Sequence, residues 1–148
     1  MDRPQNGFFR PGRVAWMRIV TPELTVLALA AILQSVQIML AAASMNRDAG
    51  VEYNASPRDV PREFSPLTGR LRRAVANHFE ALIFFVIAVV LVTYSGNAGP
   101  LTAACAWVYL AARLLYVPAY AFGWSPWRSV IFGIGAAATG IMILAALF

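Results

Sequence analysis

The chain has 148 residues, enough for one domain, and 59% of them are apolar while only 13% are charged. Soluble domains carry about 25% charged residues, so this balance excludes an ordinary water-soluble fold. The net charge of +5 comes from 12 arginines without a single lysine. These gather at the ends of apolar stretches instead of along one basic face, which argues against nucleic-acid binding.

Residues 1–20 read as a polar interfacial tail, anchored by Phe8, Phe9 and Trp16 and carrying Arg3, Arg10, Arg13 and Arg18. They lack the continuous apolar run of a cleavable signal peptide. Residues 21–148 read as one membrane domain. Thr21-Pro22-Glu23 is a helix start, with Thr as N-cap, Pro at the first helical position and Glu in the first turn. Four segments, 24–45, 74–95, 101–122 and 129–148, are long and apolar enough to span a bilayer, for which roughly 20 residues are needed. Gln34 and Gln37 form a polar stripe in the first span and should turn inward to hydrogen-bond between helices.

Residues 46–64 form a polar connection without a metal or phosphate motif; no metal ligand set is expected anywhere in the chain. Ser65-Pro66 repeats the cap-then-proline start and opens the second helix before its membrane span. Asn97-Ala-Gly-Pro100 and Gly123-Trp-Ser-Pro126 are short turns, the second offering Ser125 as a third cap. Gly133, Gly135, Ala136, Ala137, Ala138 and Gly140 give the last helix small surfaces for close packing. Cys105, the lone cysteine, excludes an internal disulfide and reads as a small apolar core residue. The expected fold is all-α: an integral membrane four-helix up-down bundle. Six arginines in the first connection and Arg128 in the third place both connections in the cytoplasm by the positive-inside rule, although the tail's four arginines oppose this.

Two polar stripes interrupt the apolar pattern. Arg70, Arg73, Asn77 and Glu80 fall one or two turns apart at the start of the second helix, and Arg113, Tyr116 and Tyr120 do the same at the end of the third. In an up-down bundle these regions share one leaflet with Arg128 and Ser129 at the start of the fourth helix. A carboxylate in an apolar helix requires a partner or a wet cavity. Two readings follow. Glu80 pairs with Arg113 or Arg73 to hold the bundle, or the stripes form a site for a small zwitterion, with guanidinium forks on its carboxylates and Glu80 on its ammonium.

Arg73-Ala-Val-Ala-Asn77-His-Phe-Glu80 resembles the R-A-x-x-N-x-x-E motif of the membrane-associated proteins in eicosanoid and glutathione metabolism (MAPEG). Arg113-Leu-Leu-Tyr116-Val-Pro-Ala-Tyr120 is similar to that family's R-x-x-Y-x-x-x-Y, and an arginine likewise opens the fourth helix. Within that family the chain looks like the microsomal glutathione transferases. The resemblance implies a homotrimer with glutathione as co-substrate between neighbouring subunits. Arg73, Asn77, Glu80, Arg113, Tyr116 and Tyr120 would then bind the tripeptide, and Arg128 would favour its thiolate. The implied activity is transferase or peroxidase, acting on hydrophobic electrophiles or lipid hydroperoxides that enter from the bilayer, in a bacterial inner membrane with the site facing the cytoplasm. The alternative is a non-catalytic membrane scaffold, either a lipid binder or an accessory subunit of a larger membrane complex, since some members of that family bind lipid and partner proteins without catalysing anything. Phe132 stands where the prostaglandin-synthase branch carries a tyrosine, which argues against that isomerase activity. Val75 and Ala76 replace polar residues of the eukaryotic motif, and the first connection is long for the family.

Overall fold

The structure, a computed structural model, describes residues 20–148; the expected interfacial tail lies outside the described residues except for Val20. Five helices follow in order: α1 (Pro22–Ala49), the short α2 (Val51–Ala55), α3 (Pro66–Ser95), α4 (Pro100–Ala121) and α5 (Trp127–Leu147). All but α2 are long and apolar enough to cross a bilayer, which makes this a multi-pass membrane protein. Among the described residues there is no strand.

The helix starts follow local chemistry. Leu24 N donates to the Thr21 hydroxyl and Thr68 N to the Ser65 hydroxyl, each at 3.4 Å, with proline in the first turn of both helices. The third start differs from its expectation. Ser125 caps nothing, and α5 begins at Trp127, with Pro126 in the cap position. Here the turn's own carbonyls serve as acceptors, Trp124 O for Arg128 N (3.0 Å) and Pro126 O for Ser129 N (2.9 Å), so a hydroxyl cap is redundant. Gly96 ends α3 at φ +74, the left-handed geometry that glycine adopts without a Cβ penalty. From the same turn Asn97 Nδ2 reaches Ala145 O at 3.2 Å, tying it to the end of α5.

Packing inverts the pattern of a soluble bundle. Ile32, Met39, Phe84 and Leu144 face outward, while small residues such as Ala30, Ala88, Ala106 and Ala138 line the core with Val26, Phe85 and Met142. In lipid the tails are as apolar as leucine, so close approach of backbones and polar bridges do the selecting. Cys105 belongs to this core. The pairing of α4 with α5 is the most extensive, followed by α1 with α3. Both glutamines turn inward as expected: Gln34 Nε2 donates to Val75 O at 3.2 Å, and Gln37 Nε2 lies 2.8 Å from His78 Nδ1.

At the opposite end of the bundle, Glu23 is buried rather than merely sitting in the first turn of α1. The Thr102 hydroxyl donates to its Oε1 and also accepts from Gly99 N at 2.9 Å. One threonine therefore joins the starts of α1 and α4. Thr102→Val leaves the carboxylate without this donor, and the expected cost is about 1–3 kcal/mol, while Thr102→Ser keeps most of it. Thermal unfolding of the two variants in detergent checks this, and equal midpoints would refute the bridge.

Candidate functional site

The end of α4, the start of α5 and the first turns of α3 meet at one end of the bundle. Arg70 Nη1 donates to Ala121 O at 3.2 Å, and its guanidinium lies against Gly123, where a Cβ would stand 3.2 Å from Cζ. Gly123, at φ +70, thus provides both the turn and the space for the arginine. This contact fixes α3 against the α4–α5 turn and sets the depth of everything below it.

Next to that contact lies a cavity of about 230 Å³ lined by Asn77, Tyr116, Tyr120, Arg128, Ser129 and Phe132. Five of these six were expected from the sequence to share one site. The Arg128 guanidinium carbon sits 5.3 Å from the centre of the Tyr120 ring, and the rings of Tyr116 and Tyr120 are 5.3 Å apart. Asn77 Oδ1 is buried and has no partner. No carboxylate lines the cavity, so its cation, phenols and amide are arranged to receive an anionic, hydrogen-bonding ligand.

Arg113 lies beneath, only 1% exposed. Its guanidinium carbon is 5.2, 5.7 and 5.0 Å from the ring centres of Tyr109, Tyr116 and Phe132, and Nε and Nη1 have no hydrogen-bond partner. Three π faces thus take the place of a carboxylate around a cation held out of water. The expected alternative, Glu80 paired with Arg113, is not formed, since Arg113 is wrapped in aromatic rings and Glu80 is exposed on α3.

The α3 stripe divides. Residues seven apart on a helix differ by only about 20° in direction, whereas Arg70 and Arg73, three apart, differ by about 60°. Arg70 and Asn77 therefore face α4 and the cavity, while Arg73 and Glu80 form a second pair turned outward. Arg73 lines a shallow cavity of about 300 Å³ with Gly69, Arg72 and Ala76, and Glu80 closes one end of a groove between α1 and α3. A separate cavity of about 900 Å³ lies within the connection from Ala49 to Arg62 and contains no stripe residue.

Sequence reasoning gave no place to several residues near the site. His78 is fully buried against Gln37, and its ring centre is 6.5 Å from that of Tyr109. Its direction, about 100° from Asn77, is the side of α3 that meets α1. The inward amides of α1 were the available signal, because they require a polar neighbour on the next helix. Tyr109, stacked on Phe85 at 3.9 Å, floors the Arg113 pocket, and Gly135 makes room for Arg113 on α5.

Four apolar spans with a cationic, phenol-lined cavity at one end define a polytopic membrane protein. The sequence profile of the MAPEG family matches residues 23–148, and the chain belongs to that family. The match includes the long first connection. No curated protein matches the chain.

Proposed function

We propose that this protein is a glutathione-dependent transferase or peroxidase of the microsomal glutathione transferase type, active as a homotrimer. The observation that carries this reading is the cavity joining Asn77, Tyr116, Tyr120 and Arg128 above the ring-bound Arg113, in a chain of the MAPEG family. The outward pair Arg73 and Glu80 supports it too, because a carboxylate and a guanidinium exposed on a spanning helix suit a ligand shared with a second subunit.

Glutathione bound there offers its carboxylates to the arginines and its ammonium to Glu80. Arg128 stands near the sulfur, and Ser129 and the phenols donate hydrogen bonds. A guanidinium close to a thiol in a low-dielectric setting stabilises the thiolate, which is the nucleophile. The thiolate attacks an electrophilic carbon to form a thioether, either expelling a leaving group with its bonding pair or, at a conjugated double bond, pushing the π pair onto the acceptor, which then takes up a proton from water. With a hydroperoxide it attacks the O–O bond, giving a sulfenate and an alcohol, and a second glutathione then yields the disulfide and water. Phe132 supplies a ring and no hydroxyl, so the prostaglandin isomerase chemistry has no donor at that position. The arginine-rich first connection and Arg128 favour a cytoplasmic site, as in a bacterial inner membrane.

Equilibrium binding of glutathione to the detergent-purified protein tests the reading. Arg73→Ala and Glu80→Ala are each expected to weaken binding at least about tenfold, the loss of one charge-assisted contact. Wild-type affinity in both variants would remove the outward pair from the site.

A further inference from the structure

The shallow cavity of about 300 Å³ on the outward side of α3 is lined by Gly69, Arg72, Arg73 and Ala76. Its shape follows from the helical period. Gly69 and Ala76 lie seven residues apart and point within about 20° of each other, so together they make a floor without bulk. Arg72 and Arg73 diverge from that floor by about 40–60° on opposite sides and form its walls. Arg73 leans over the floor, with Nη1 3.4 Å from where a Cβ on Gly69 would stand. Two guanidiniums thus flank a strip of backbone and one methyl group, and no carboxylate lines the cavity.

Arg72 belongs to neither polar stripe, and the first connection holds it in place. Its guanidinium carbon lies 5.2 Å from the centre of the Phe64 ring. That ring packs against Tyr53, centre to centre 6.1 Å, and Tyr53 in turn carries the Arg62 guanidinium carbon at 5.3 Å. The residue after Phe64, Ser65, donates its backbone N–H to Asp48 Oδ2 at 2.8 Å, which ties this end of the connection to the last turn of α1. An exposed arginine loses rotamer freedom when it captures an anion; one already seated on a fixed ring loses less. Arg72 also lines the groove that Glu80 closes, so it borders both cavities of the outward face.

We propose that Arg72 is a further ligand-binding residue, forming with Arg73 a two-guanidinium cradle for an oxyanion, and that Phe64 is the positioning residue that holds it there. The proposal rests on the glutathione reading above, in which Glu80 takes the ammonium, and it names the ligand group the cradle receives. The γ-glutamyl end of glutathione carries its ammonium and one carboxylate on the same carbon. Arg73 stands about 10 Å along the helix from Glu80, towards the first connection. The carboxylate that reaches it is therefore the glycine carboxylate, at the other end of the tripeptide. A guanidinium on each side offers donors to both of its oxygens. The long first connection, which has no motif of its own, thereby contributes to the site through Phe64.

The test measures equilibrium binding of glutathione and of its glycine ethyl ester, which lacks only the glycine charge, to the full-length protein in mild detergent. The wild type is expected to bind the free acid at least about tenfold more tightly, the equivalent of one charge-assisted contact. Arg72→Gln should cut that preference at least about threefold by weakening the acid and sparing the ester. Phe64→Leu should cut it about twofold, and Phe64→Tyr, which keeps a ring under the guanidinium, should restore it. Arg47→Gln, which removes a charge that lines neither cavity, should leave it unchanged. A purely structural role for Arg72 would weaken acid and ester equally, and that outcome would overturn the proposal. Equal affinity of the wild type for the two ligands would do the same. Should the wild type bind neither, the glutathione reading falls, and sulfate at constant ionic strength then decides the cradle. A rise in unfolding temperature that Arg72→Gln reduces would uphold it as an oxyanion site, while no rise, or the same rise in the variant, would remove it.

Discussion

Replacing Arg128 with alanine is expected to abolish the thiolate absorbance of bound glutathione while leaving most of the binding intact. A cation about 4 Å from a sulfur at an effective dielectric of about 20 contributes about 4 kcal/mol, or about three pK units. A thiol with an ordinary pKa near 8.5 is about 3% ionised at pH 7; lowered by three units it is about 97% ionised. The variant should therefore lose about thirtyfold in thiolate at neutral pH and recover as the pH rises through the ordinary thiol range. The sign follows from the chemistry: the cation stabilises the charged form, so its benefit is present below the unperturbed pKa and vanishes above it. Arg128→Lys, which keeps the charge but not the planar contact with the Tyr120 ring, should retain part of the signal. An unchanged thiolate spectrum in Arg128→Ala would remove this residue from the chemistry. Binding without any thiolate in the wild type would favour the non-catalytic reading of the fold.

Gly135→Val should be the most damaging single change on α5. A Cβ at this position would stand 3.0 Å from Arg113 Nη2, 3.4 Å from the Ala112 Cβ and 3.5 Å from Arg113 Cζ. The first distance demands movement, and the group in the way is a guanidinium seated among three rings. Overpacking of this kind costs about 1–3 kcal/mol, and it also displaces the cation beneath the cavity. Both the unfolding temperature in detergent and the affinity for glutathione should therefore fall. Gly133→Ala provides the contrast. Nothing lies within 4 Å of a Cβ there, so the substitution should be neutral or stabilise the helix by up to about 1 kcal/mol. Equal behaviour of the two variants would show that α4 and α5 do not pack through Gly135.

The spans, the two proline-marked helix starts at Thr21 and Ser65 and the antiparallel order of the helices were legible because they depend on local chemistry and on the length of an apolar run. Asn77, Tyr116, Tyr120, Arg128 and Ser129 were also legible as neighbours. Their depth follows from counting turns along antiparallel helices, and the structure gathers them around one cavity. The Ser125 cap was misread because the turn satisfies its own amides. Glu23 was read as a first-turn acid, since its partner Thr102 is 79 residues away.

By itself the sequence determined the class of protein, its four spans and the leaflet in which the polar stripes meet, because hydropathy and helical period act within a single segment. Only the tertiary structure decided which way each polar group turns. Helix α3 rotates so that Arg70 and Asn77 meet α4 while Arg73 and Glu80 point outward, a separation of about 60° that a motif written in one line conceals. It also decided that Arg113 rests on Tyr109, Tyr116 and Phe132 instead of pairing with Glu80. The physical reason is that a buried charge takes whichever partner the packing of neighbouring helices brings to it. That packing depends on small residues, such as Gly123 and Gly135, whose importance lies in the space they leave.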